Sequence, residues 1–260
     1  MSYKIVFLDI DGTILPRNHE IQESTKVAIQ ELQAKGIHVV IATGRPLIYT
    51  VDIADELGIN NIITFNGAYA RHQGKELFSK EMDKAFIQHA LSTAKQQKHN
   101  LTLQTIKRNY IAHYSDEPLP EFLFNNLHPP LKFEEFKTSE TILGATLFLP
   151  YHTNSSPYSQ GNEYSFSPWT SHYEFSIFDV TSKSVNKGTA IEDYLKLLGI
   201  SSEEAVAFGD GMNDVEMLSY VGMGVAMGNA QPGLLPYSNM QTSSVENDGI
   251  YNGLKVLGLL

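Results

Sequence analysis

Short apolar runs alternate with amphipathic segments over the first part of the chain, and this alternation constrains the fold more than any other feature. Residues 4–8, 38–42 and 62–65 read as strands, and residues 22–35 and 46–57 read as helices between them. Strands that alternate with helices are typical of βαβ units, which build a parallel sheet. The pattern predicts an α/β fold whose core is a Rossmann-like, doubly wound parallel sheet.

The middle of the chain has a different texture. Residues 84–97 read as a helix, followed by strand-like pieces at 101–106, 145–149 and 175–180 and a polar surface loop at 152–161. The βαβ pattern returns with a helix at 187–198, strands at 205–208 and 222–226, and a short helix at 215–220. Because a domain can be inserted where chain ends lie close together, we predict a core of residues 1–82 and 183–260 and an inserted α+β domain of residues 83–182.

Composition excludes several classes of partner and chemistry. The net charge of −10 and the lack of a Lys/Arg run argue against nucleic acid, which usually needs a concentrated basic face. No stretch reaches a membrane-spanning length or resembles a signal peptide, so we expect a cytoplasmic protein without a membrane partner. The absence of cysteine excludes disulfides and thiolate chemistry. We expect a monomer or a small homo-oligomer.

Two carboxylates follow directly on the first predicted strand, in the segment Asp9-Ile10-Asp11-Gly12-Thr13. In an open parallel sheet, groups just past the carboxyl end of a strand face the crevice where ligands bind. Gly12 allows the backbone to bend and to approach an anion. The segment therefore predicts a ligand site, and the alternative is a simple Asp-Gly turn with solvated acids.

A second acidic cluster, Gly-Asp-Gly-Met-Asn-Asp at 209–214, follows a later predicted strand. Hard divalent cations such as Mg²⁺ prefer a few carboxylates together with water and substrate oxygens. If the two loops are neighbours, Asp9, Asp11 and Asp210 share one ion, which would relieve the repulsion between them. The alternative is an unrelated acidic loop in which Asn213 caps the following helix.

Two further segments carry groups that suit a phosphoryl group. Thr43 and Gly44 follow the second predicted strand and precede a helix, where a hydroxyl and backbone N–H groups are available to an anion. Lys187 opens the helix that resumes the core pattern, a position that disfavours cations unless an anion lies nearby. Phosphoryl transfer depends on such positioning and electrostatic stabilisation. The alternative for Lys187 is a solvated lysine.

Taken in order, these four pieces resemble the motifs of the haloacid dehalogenase superfamily, and more narrowly those of its Cof-type phosphatases. Residues 9–13 resemble the first motif, Thr43 the second, Lys187 the third and residues 209–214 the fourth. The resemblance covers the whole chain. In that family, an insertion between the second and third motifs is a C2 cap, and the inserted domain is identified as such a cap.

The resemblance implies a Mg²⁺-dependent hydrolase of phosphoric monoesters that acts on a small phosphorylated metabolite, either a sugar phosphate or a phosphorylated cofactor. Asp9 would be the nucleophile that forms an aspartyl-phosphate, and Asp11 would act first as general acid and then as general base. The family pattern assigns the metal to Asp9, Asp11 (through its carbonyl), Asp210 and Asp214, and the phosphate to Thr43, Gly44, Lys187 and Asn213. Arg45 and Asn66 are candidates for substrate contact, although Asn66 also fits a simple Asn-Gly turn.

Two other functions stay open at this point. A phosphotransferase or mutase would pass the same phosphoryl group to a metabolite hydroxyl instead of water. A regulatory protein would bind a phosphorylated metabolite without turning it over. The intact set of nucleophile, acid and cation argues against the second function, because binding alone needs neither Asp9 nor Asp11.

Overall fold

The computed structural model describes residues 3–115, 130–133, 136, 140–159, 161, 163–169 and 175–260. The chain divides into two compact units. The first comprises Met1–Arg45, Thr50–Phe78 and Val185–Leu260, and the second comprises Pro46–Tyr49 and Ser79–Ser184. Among the described residues, none of the helices combines the length and the apolar composition of a membrane-spanning segment.

The first unit is built on an eight-stranded sheet. In spatial order its strands are β14 (Met240–Gln241), β13 (Met223–Ala226), β12 (Ala205–Gly209), β1 (Ile5–Leu8), β2 (His38–Ala42), β3 (Ile62–Thr64), β4 (Tyr69–His72) and β5 (Lys75–Ser79). The strands from β14 to β3 are parallel, and β4 is antiparallel to β3. The predicted parallel α/β core is therefore confirmed.

Helices cover both faces of this sheet, as in a doubly wound fold. They are α1 (Glu23–Ala34), α2 (Val51–Glu56), α4 (Lys187–Leu198), α5 (Val215–Tyr220) and α6 (Gly249–Val256). On one face Ile5 and Phe7 pack with Ile191 of α4. On the other face Gly253 of α6 lies against the Phe208 ring. Because both faces are covered, β1 is an unbroken apolar run rather than an alternating one.

The second unit combines α3 (Lys84–Gln97) with a six-stranded sheet. The strands in spatial order are β10 (Tyr164–Pro168), β11 (Phe175–Ser182), β9 (Gly144–Pro150), β6 (Asn100–Gln104), β7 (Asn109–His113) and β8 (Leu131–Lys132). Helix α3 covers one face, where Phe86 and Ala90 pack in one cluster with Leu101 and Leu147. A helix packed on one face of such a sheet is the α+β arrangement that the sequence predicts for the insertion.

Some predicted elements differ from the structure. The helix expected at 46–57 is divided, because the N–H of Tyr49 bonds the Pro46 carbonyl and tightens the first turn into a 3₁₀ turn, so that α2 begins only at Val51. The polar loop expected at 152–161 contains a second 3₁₀ turn, whose Tyr158 is fully buried and bonded to His99 at 2.9 Å.

The predicted domain boundaries at 82/83 and 182/183 stay a prediction. The second unit also includes residues 46–49, because the Tyr49 hydroxyl accepts a hydrogen bond of 3.1 Å from the Asn109 side chain. Part of the predicted cap, including residues 116–129 and 170–174, lies outside the described residues.

A series of hydrogen bonds between polar side chains crosses the face of the second sheet that α3 does not cover. The Gln104 amide donates to the Thr146 hydroxyl at 3.0 Å, and that hydroxyl donates to Asp179 at 2.9 Å. Side chains alternate along a strand, so Asp179 faces away from its neighbours Phe178 and Val180 in the α3 core. Burial raises the pKa of Asp179 to about 6.

We predict that Asp179→Asn stabilises this unit at neutral pH. An unfolded Asp has a pKa of about 3.9, so between about pH 4 and 6 the folded protein binds a proton that the unfolded chain does not. Wild-type stability therefore falls as the pH rises through this window. The free energy of unfolding of the variant, relative to that of wild type, should rise by about 1–3 kcal/mol between pH 4 and pH 7. Urea unfolding followed by the fluorescence of Trp169, the single tryptophan, measures this gain.

The exposed Asp55→Asn is the matched control for the loss of one carboxylate. A stability difference that does not change with pH for Asp179→Asn, or one that also appears in the control, would contradict the prediction.

Candidate active site

The predicted site residues converge because their strands are parallel and adjacent. Asp9 follows β1, Thr43 follows β2, Asn66 follows β3 and Asp210 follows β12. Strand β1 lies between β2 and β12, so the chain winds outward from it in both directions. Such a reversal opens a crevice at the carboxyl ends of the strands, where ligands bind in open α/β sheets.

The ammonium of Lys187 lies fully buried between two carboxylates. Its Nζ donates to Asp9 Oδ1 at 2.5 Å and to Asp214 Oδ1 at 2.6 Å. The side chain of Asn186 caps α4 by accepting from the Thr189 N–H, which fixes the first turn that carries Lys187. Burial alone would lower the pKa of Lys187, but the charges of Asp214 and Asp9 more than offset burial and raise that pKa.

At Asp9, in contrast, the effect of burial on the pKa outweighs that of the opposite charge. Burial raises the pKa of its carboxyl well above the usual range, and Lys187 offsets that effect only in part because Asp214, Asp210 and Asp11 add like charge. Asp9 is only 5% exposed, so solvent does little to screen these charges. The site as it stands holds more negative charge than one lysine neutralises.

Asp214 organises its own loop from a fully buried position. While Oδ1 receives Lys187, Oδ2 accepts the backbone N–H groups of Asp210 and Gly211 at 2.9 and 3.0 Å. One carboxylate therefore both pairs with the lysine and fixes the backbone that presents Asp210. Breaking a buried pair of this kind typically costs about 3–5 kcal/mol because the remaining charge is left without a partner.

Asp210 packs directly against the turn after Asp9. Gly12 has a φ of +80°, and a Cβ there would meet Asp210 Oδ2 at 2.2 Å, so both its conformation and the available space require glycine. Thr13 donates to Asp210 Oδ1 at 3.4 Å. Burial, together with the charge of Asp214, raises the pKa of Asp210 to about 7.

The carboxylates of Asp9, Asp210 and Asp214 fit a divalent cation. One oxygen from each lies within 4.8 Å of the other two, which makes this a candidate metal cluster among the described residues. Three carboxylates facing the single ammonium of Lys187 leave a net charge of −2 when all are ionised. A hard cation with oxygen ligands would balance that charge and offset the effect of burial and of Asp214 on the pKa of Asp210.

Asp11 is turned away from this cluster. Arg45 donates to both of its carboxylate oxygens, from Nε at 2.8 Å and from Nη2 at 2.5 Å. The Asp11 side chain is 59% exposed, in contrast to that of Asp9. Two neighbouring acids of one turn thus have different environments, one buried beside a lysine and one exposed beside an arginine.

The predicted phosphate-binding residues flank the acids. Thr43 is buried, and its hydroxyl accepts the Arg45 N–H at 3.1 Å, which tightens the turn through Gly44. Asn213 is exposed in the loop between Asp210 and Asp214, and its amide donates to the Asn66 side chain at 3.2 Å. Thr43, Gly44, Lys187 and Asn213 all belong to the first unit.

Sequence reasoning missed Asn229. Its amide donates to the Gly12 carbonyl at 2.8 Å and reaches Asp210 Oδ2 at 3.4 Å, and its own oxygen accepts the Val245 N–H. Asn229 lies shortly after the end of β13, which is next to β12 in the sheet, so the same rule about strand ends identifies it.

The chain is similar to known proteins over nearly its whole length. A family model described as haloacid dehalogenase-like hydrolase matches residues 6–254. YkrA of Bacillus subtilis (strain 168) is 32% identical over 262 residues, which are 100% of both proteins. The 5-amino-6-(5-phospho-D-ribitylamino)uracil phosphatase YitU of the same organism is 26% identical over 262 residues, 96% of each protein.

A solved structure is also similar to this protein over nearly the whole chain. The structure of the sugar phosphatase BT4131 of HAD subclass IIB matches with a TM-score of 0.83 at 26% identity, over 99% of this chain and 100% of that chain. The resemblance inferred from the motifs is therefore confirmed. Because the family model spans nearly the whole chain, this protein belongs to the haloacid dehalogenase-like hydrolase family of enzymes.

Proposed function

We propose that the protein is a Mg²⁺-dependent phosphatase that hydrolyses a small phosphorylated metabolite, a sugar phosphate or a phosphorylated cofactor, through an aspartyl-phosphate on Asp9. The family supports a hydrolase, and the names of YitU and BT4131 give their substrates as phosphorylated small molecules. The observation that carries the proposal is Lys187, buried at 0% exposure between Asp9 and Asp214.

The geometry suits Asp9 to nucleophilic attack. Lys187 holds Oδ1, which keeps the carboxylate oriented and leaves Oδ2 as the attacking oxygen. In the first displacement, the bond from Oδ2 to phosphorus forms and the bond from phosphorus to the leaving oxygen breaks. Lys187 and the Thr43 hydroxyl then stabilise the charge on the phosphoryl oxygens.

Asp11 is the proposed proton carrier. In the first displacement its carboxyl gives a proton to the leaving oxygen, and in the second it takes a proton from the water that attacks phosphorus and frees Asp9. Arg45 holds both Asp11 oxygens in the present arrangement, so the Asp11 side chain leaves Arg45 before it acts as an acid. Its exposure gives it room to turn.

The acidic cluster would hold Mg²⁺ through Asp9 and Asp210, with Asp214 fixing the loop that presents Asp210. When bound, the ion supplies positive charge that offsets the repulsion between the carboxylates and the substrate phosphate. The carbonyl of Asp11 is the third protein oxygen that we assign to this ion.

We predict that Asp9→Asn lowers phosphate release by at least about 1,000-fold, because an amide cannot form the aspartyl-phosphate. The measurement is phosphate release from a panel of sugar phosphates and phosphorylated cofactors, with MgCl₂ and with EDTA. The exposed Asp55→Asn is the matched control and should retain wild-type rates. Undiminished turnover in Asp9→Asn would overturn the mechanism. Phosphoryl transfer to an added sugar in preference to water would instead identify a phosphotransferase.

We predict that Mg²⁺ stabilises the wild type and that Asp210→Asn abolishes this effect. A ligand at about 100 times its Kd contributes about 2.7 kcal/mol, which corresponds to a rise of about 5–10 °C in Tm for a protein of this size. Without metal above pH 7, Asp210→Asn should unfold at or above the wild-type temperature, since the variant lacks a carboxylate whose pKa is raised to about 7. Differential scanning calorimetry in MgCl₂ or EDTA measures both effects. Equal Mg²⁺ shifts in the two proteins would show that the ion binds elsewhere.

A further inference from the structure

A strained turn follows β3 at the same end of the sheet as the acids. Phe65 and Asn66 have φ values of +54° and +53°, and Gly67 has +106°. Asparagine tolerates this left-handed region and glycine favours it, but for a bulky residue such as Phe65 it is an outlier. Strain of this kind persists only where the surrounding structure enforces it, and it is common at functional sites.

Backbone contacts tie the turn to two segments of the proposed site. The N–H groups of Phe65 and Asn66 donate to the carbonyls of Arg45 and Thr43, each at 3.1 Å. On its other side Gly67 lies against the first turn of α4, where a Cβ would come within 2.4 Å of the Asn186 carbonyl oxygen. Asn186 directly precedes Lys187. The turn is therefore fixed between the Thr43 segment and the lysine.

The Asn66 side chain makes the link to a third segment. Its Oδ1 accepts the hydrogen bond from Asn213, in the loop that carries Asp210. It also fills the space beside Gly44, where a Cβ would meet Asn66 Oδ1 at 2.9 Å and Nδ2 at 3.1 Å. One amide thus touches both the Gly44 turn and the Asn213 side chain, which are two of the four predicted phosphate-binding groups.

We propose that Asn66 is a positioning residue: its amide, held by the strained turn, sets Asn213 relative to Gly44 so that both groups bind one phosphoryl group. Asn66 then acts through Asn213, whose amide has a second N–H free to face an anion when the first is given to Asn66. The inference rests on the proposed function because it requires a phosphate site between these loops.

Asn66→Gly separates positioning from folding. Glycine adopts the positive φ without strain, so the variant should fold with a Tm equal to or above that of the wild type. The amide is lost, however, and affinity for inorganic phosphate in MgCl₂ should fall about 3- to 10-fold, the usual effect of one hydrogen bond. Isothermal titration calorimetry measures this affinity without any need for turnover.

Two double-mutant cycles test whether Asn66 acts through Asn213 and Gly44. Asn213→Ala should weaken phosphate binding alone but add little in the Asn66→Gly background, because the two residues contribute one shared interaction. Gly44→Ala should weaken binding by displacing the Asn66 amide, and this effect of the added methyl should disappear when residue 66 is glycine. Additive losses in the first cycle would overturn the proposal.

The control is Asn61→Ala, which removes an amide that bonds the Val39 carbonyl and the Gln73 N–H at the start of β3. It should lower Tm and leave phosphate affinity unchanged. Unchanged phosphate affinity in Asn66→Gly would also contradict the positioning role. If wild type binds phosphate with the expected coupling but hydrolyses no ester in the panel, the positioning role stands and the proposed phosphatase function fails.

Discussion

One buried lysine governs the arrangement of this protein. The ammonium of Lys187 has no access to water, and two carboxylates from separate segments compensate it. This contact joins the end of β1, the start of α4 and the loop after β12, which are far apart in sequence. A buried ion pair adds little net stability over apolar packing, but it is costly to break, so it imposes one arrangement of these three segments. The rest of the site follows from that arrangement.

The charge balance explains why the site suits phosphoryl chemistry. A single lysine does not neutralise Asp9, Asp210 and Asp214, and burial strengthens their repulsion. Burial and this excess of negative charge raise the carboxyl pKa values, and the same excess would favour a divalent cation. Asp11 differs from these three acids in that its side chain is exposed and paired with Arg45. Two acids separated by one residue thereby have different environments, as the proposed roles of nucleophile and proton carrier require.

Much of the fold could be predicted because its signals are local. Helices α3, α4 and α5 begin and end where the sequence predicts, since their apolar spacing and caps lie within each segment. Strands β7 and β10 were missed, because their mixed polar residues acquire strand structure only by pairing with β6 and β11. The sequence predicts a polar loop around Tyr158 for the same reason, because the burial of Tyr158 depends on the distant His99. β-propensity depends strongly on such context.

The sequence by itself determined the βαβ order of the core, the family and the residues that gather at the strand ends, because motif spacing and strand ends can be read along the chain. Only the tertiary structure decided which carboxylates share Lys187, that Arg45 holds Asp11, and that Asn229 and Asn66 support the acidic loops. Those contacts join residues that are distant in sequence, and their energies depend on burial, which no local pattern contains.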